Sequence, residues 1–64
     1  MTEIEIWRAA YLMLRWYGET AQQESARRAE EFAACGDPAG AAGWYRVVDA
    51  IGQLANRTPP GPVH

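Results

Sequence analysis

The chain has 64 residues, one cysteine, one histidine and a formal charge of −2. That length holds one small domain, which buries only about 60% of its unfolded-chain surface and is marginal unless stapled, metal-bound or oligomeric. A lone Cys35 excludes an internal disulfide, and with only His64 beside it no metal site can be built from these ligands in one chain, so oligomerisation is the supplement left open.

Thr2 and Glu5 have the spacing of a capping box, and Glu3 and Glu5 suit the positive end of a helix dipole. They predict helix 1 over about residues 2–17, ended by Gly18 in a left-handed cap. On a wheel of about 100° per residue this helix is apolar nearly all round, with Arg8 and Arg15 as its polar stripe. Thr20 and Gln23 repeat the capping spacing and open helix 2, about 20–35. Its inner arc is small (Ala21, Ser25, Ala26, Ala29, Ala33, with Phe32). Its outer arc carries Glu24, Arg27, Arg28, Glu30 and Glu31, read as a solvated face with i,i+4 pairs Glu24–Arg28 and Arg27–Glu31.

Gly36-Asp37-Pro38 is the sharpest local signal. Glycine fits the position after a helix, aspartate an N-cap, and proline a first helical turn that needs no N–H. Helix 3 is thus expected at about 38–56. Ala41, Trp44, Val47, Val48, Ile51, Leu54 and Ala55 lie on one face. Gly40 and Gly43 weaken its first turns and are read as allowing close packing. The expected fold is all-α: a three-helix unit whose helices 2 and 3 form an antiparallel hairpin, one domain over 1–57. The Pro-rich stretch 58–64 is expected to be extended or disordered.

The acidic balance argues against a nucleic-acid partner. Arg8 and Arg15 interrupt what would otherwise approach a membrane span, and the acidic start Met-Thr-Glu-Ile-Glu is unlike a secretion signal. The expected setting is the reducing cytoplasm. Cys35, in the last turn of helix 2, reads as a buried, inert thiol. The Gly36–Gly43 region is a helix–helix turn, unlike a phosphate-binding loop. No catalytic residue, cofactor site, metal site or small-molecule substrate is expected. The chain reads as non-enzymatic.

Helix 1 divides into two apolar sectors. Ile4, Trp7, Tyr11 and Leu14 form a stripe expected to pack on the hairpin. Ile6, Leu12, Met13, Trp16 and Tyr17 are left for a protein interface, since one hairpin cannot cover both sides. The expected function is a small interaction protein that self-associates through helix 1, most simply as a homodimer, or serves as an accessory subunit. The alternatives are an adaptor that docks helix 1 on a different protein and, further off, a small DNA-binding regulator using Arg27, Arg28 and Arg46 for phosphates.

The run Ile6-Trp7-Arg8-Ala9-Ala10, with Gly18, Arg28-Ala29-Glu30, Gly36-Asp37, Gly40, Trp44 and Val48-Asp49-Ala50-Ile51, resembles a family of short alphaproteobacterial helical proteins with no assigned activity. The likeness spans about residues 3–55 and implies an all-helical bacterial protein, with no site residues to carry over. Residues 36–51 are also similar to half a tetratricopeptide repeat, through Gly36-Asp37, Ala41 and Trp44-Tyr45. Repeat arrays need several such copies, and this chain holds half of one.

Overall fold

A computed structural model of the chain describes residues 1–57; the expected tail, 58–64, lies outside them. The described chain is all-helical: α1 covers Glu3–Tyr17, a single 3-10 turn covers Gly18–Thr20, α2 covers Ala21–Ala34, and α3 covers Pro38–Arg57.

The start of α1 forms as its sequence dictates. Thr2 accepts from the Glu5 N–H at 3.3 Å, and the Glu5 carboxylate accepts from the Thr2 N–H at 2.9 Å. The end of α1 does not. Gly18 has φ 57° and ψ −119°. That is the first central position of a type II′ turn, a conformation glycine adopts freely, and not the left-handed helical cap expected. The chain reverses there through one 3-10 turn. Thr20 consequently sits at φ −96° and ψ 8° and makes no side-chain cap. Its hydroxyl instead donates to the Tyr17 carbonyl at 3.0 Å, so the second capping signature is not realised and α2 begins at Ala21.

The link between α2 and α3 follows the sequence closely. Asp37 N–H donates to Phe32 C=O at 2.9 Å, and Gly36 N–H donates to Ala33 C=O at 3.0 Å. This is a Schellman closure, with Gly36 at φ 80°. Asp37 then turns donor into acceptor: its Oδ1 takes the Gly40 N–H at 3.0 Å, and its carbonyl takes the Ala41 N–H at 3.0 Å. One residue closes one helix and opens the next.

The core is built mainly from small side chains. Buried apolar residues among those described are Ile6, Ala10, Met13, Ala21, Ala29, Ala41, Val47, Ala50 and Ile51, with Ser25 fully buried beside them. Trp7, Ala9, Leu14, Trp44 and Leu54 pack on its edge. This reverses the expected division of α1: its Ile6–Ala10–Met13 side faces inward. Ile4 and Tyr11 of the other stripe stand 68% and 55% exposed, and Trp7 and Leu14 are half-buried. The reason is the depth of the contact. In the core cluster α1 meets Ala21 of α2 and Val47, Ala50 and Ile51 of α3, so small side chains on both sides let the helices approach where α1 itself carries Ala10 between Ile6 and Met13. A seam centred on Trp7 and Tyr11 would hold the backbones too far apart to be filled from the other side.

Gly40 and Gly43, the glycines in the first turns of α3, also part company. A methyl group at Gly40 would lie 2.8 Å from Phe32 Cδ1 on α2 and 2.7 Å from the capping Asp37 Oδ2. At Gly43 it would meet only the Met1 side chain, at an ordinary 3.5 Å. Close approach therefore explains Gly40 and does not explain Gly43.

Candidate interaction surface

Two constellations use large side chains that are exposed or lie at the edge of the core. The first lies on α1. Ile4, Trp7, Tyr11 and Leu14 share one face at spacings of three, four and three. Its residues are held in place along the helix: Trp7 Nε1 donates to Glu3 Oε2 and Arg15 Nη1 to the Tyr11 hydroxyl, both at a long 3.4 Å. Glu3 Oε1 is also 3.4 Å from Arg46 Nη2 on α3, an exposed pair that contributes little energy. Toward the far end, Tyr11, Leu14 and Arg15 combine with Leu54 and Ala55 of α3 to line an open, mostly apolar groove of about 390 Å³. The stripe and the groove are one continuous surface.

The second constellation ties three segments together. The Arg28 guanidinium lies 5.4 Å from the centroid of the Trp44 ring, within cation–π range. Its Nη2 donates to the Tyr17 hydroxyl at 3.1 Å, and its Nε is buried without a partner. Arg28 is thus a strut between α2, α3 and the end of α1, and not part of a solvated outer face. A signal for it was present: Arg28 and Trp44 are each eight residues from Gly36, as Phe32 and Gly40 are each four. Of the expected helix 2 pairs, Arg27–Glu31 forms at 3.8 Å, fully on the surface, whereas Arg28 turns to Trp44 and Tyr17.

The residues expected at an interface are therefore divided. Ile6 and Met13 are corrected from surface to core, at 4% and 2% exposure. Leu12 is half-buried, Tyr17 is exposed and engaged with Arg28, and Trp16 stands 66% exposed on a different side of α1 from the Ile4–Tyr11 stripe. Cys35 is also corrected: it is exposed, because the Schellman closure places it at the turn, outside the packed face. The three arginines weighed for phosphate contacts each have a neighbour, Arg27 with Glu31, Arg28 with Tyr17 and Arg46 with Glu3. Among the described residues no group of three His, Cys, Asp or Glu side chains is placed to hold a metal ion, and no helix is long and apolar enough to cross a membrane. Compared with known proteins, the chain matches no family model, no curated protein and no solved structure.

Proposed function

We propose that this chain is a non-enzymatic interaction protein that self-associates through the exposed face of α1. In this reading it is a three-helix unit, with α2 and α3 an antiparallel hairpin and α1 laid along it. The pairings Phe32 with Gly40, Arg28 with Trp44 and Gln22 with the Val48 carbonyl support that arrangement. A reducing, cytoplasmic setting fits a chain with one exposed, unpaired thiol.

One observation carries the reading. Within the described core the large apolar side chains are Ile6, Met13, Val47 and Ile51, whereas Met1, Ile4, Tyr11, Trp16, Tyr17, Phe32 and Tyr45 are exposed. Fully burying an exposed large apolar side chain contributes roughly 1.5–3 kcal/mol, of which these partly exposed ones have a share still to gain, and a domain this small has little stability to spare. Burial against another copy supplies what the chain cannot supply itself.

Light scattering after size exclusion at micromolar concentration tests this. The expected mass is that of a dimer, and the double variant Ile4→Glu/Tyr11→Glu is expected to elute as monomer. A folded wild-type monomer at that concentration overturns the reading. A second reading, docking of a different protein on the Leu12–Trp16 side, is favoured by the exposed Trp16 ring. A stoichiometric partner recovered by wild type and lost in Trp16→Glu would select it.

A further inference from the structure

We propose that the occupant of the Ile4–Trp7–Tyr11–Leu14 seam is the same seam of a second copy, with the two α1 helices parallel and in register. The proposal rests on the self-association reading and adds the partner's direction. The seam's spacing of three, four and three gives two heptads with Ile4 and Tyr11 at a and Trp7 and Leu14 at d. A repeat averaging 3.5 residues is what a helix shows to another helix winding along it. A flat surface or an extended peptide asks for no such period. The core, meanwhile, uses the adjoining Ile6–Ala10–Met13 side, which leaves the a positions bare and the d positions half covered.

Charge then decides direction. In this register Arg8 and Arg15 occupy e, and Glu3 occupies g. Antiparallel helices set e against e, which would line four arginines along one edge of the pair. Parallel helices set e against g, which brings Arg8 opposite Glu3 of the second copy and separates the arginines. Glu3 is well exposed and holds Arg46 only across 3.4 Å, so its carboxylate is accessible to a second cation. Two heptads alone make a short contact. Here, however, α1 is held helical by α2 and α3 before it pairs, so association costs less ordering than it would for free helices. The groove formed with Leu54 and Ala55 widens the strip at the Leu14 end. Parallel, in-register pairing is a closed two-fold arrangement and leaves no open end to polymerise.

Cysteine crosslinking in a Cys35→Ser background separates the outcomes. Ile4 is well exposed, so Ile4→Cys leaves the monomer fold intact. In parallel register the two introduced Cβ atoms meet within disulfide range. The Cys35→Ser parent is expected to have the mass of a dimer, and oxidised Ile4→Cys to form covalent dimer as the main species. Its yield should be roughly tenfold or more above that of Arg27→Cys, an exposed control away from the seam, because pairing raises the effective thiol concentration. A dimeric parent in which Ile4→Cys does not crosslink above this control, and in which Ile4→Cys/Leu14→Cys does, overturns the parallel direction and leaves self-association standing. A monomeric parent overturns both.

Discussion

Gly40 and Gly43 look alike in the sequence, two glycines in the first turns of one helix, and the space around them separates them. At Gly43 an added methyl finds ordinary contact with Met1, so Gly43→Ala should gain about 1 kcal/mol from helix propensity alone. At Gly40 the same methyl displaces the Asp37 carboxylate that caps α3 and presses on the Phe32 ring. Loss of a cap costs about 1 kcal/mol, which offsets the propensity gain before any strain is counted, so Gly40→Ala should destabilise. Urea titration of the two variants is expected to move the midpoints in opposite directions, with the slope unchanged. The sequence shows that both glycines are unusual in a helix. Which one faces a ring depends on the register of α2 against α3, for which the sequence offers only the equal spacing of Phe32 and Gly40 about Gly36.

Element boundaries were legible wherever a local signal had no competitor. Thr2 with Glu5, and Gly36-Asp37-Pro38, satisfy backbone groups that have no other partner, and each forms as its residue types require. Thr20 with Gln23 has equivalent chemistry, yet the tight reversal at Gly18 continues into a 3-10 turn and leaves Thr20 at φ −96° and ψ 8°, outside the extended region an N-cap takes, with no cap to make. The two threonines should therefore respond differently to replacement. Thr2→Ala is expected to cost about 1 kcal/mol, and Thr20→Ala only a few tenths, a difference that thermal melting of the two variants resolves. The facing of α1 was the less legible part. Counting large apolar residues favours the Ile4–Trp7–Tyr11–Leu14 stripe as core. The alanines that line the core make Ala10 the better guide, since close helix packing is set by small residues on both sides. Arg28 was obscured for a related reason: its neighbours in sequence are charged, and its neighbours in space are Trp44 and Tyr17.

For the molecule as a whole, the proposed pairing through a seam whose Ile4 and Tyr11 are exposed would tie stability to concentration. If copies pair, unfolding includes dissociation, and the melting temperature must rise with protein concentration. Calorimetry or circular dichroism at about 1 μM and about 100 μM should show that rise for wild type, and none for Ile4→Glu/Tyr11→Glu. The turn at Gly18 bears on the same balance from another direction. No atom outside its own neighbours crowds the place where a side chain would be, so the backbone angle alone requires glycine there. The 3-10 residues that follow are already close to helical. Were the reversal relaxed, Glu3 to Ala34 could run on as one uninterrupted helix, carrying α2 and α3 away from their own α1. Those two helices would then find an identical α1 only on a neighbouring copy. Gly18 is in this sense the position from which exchange of whole helices between copies would begin.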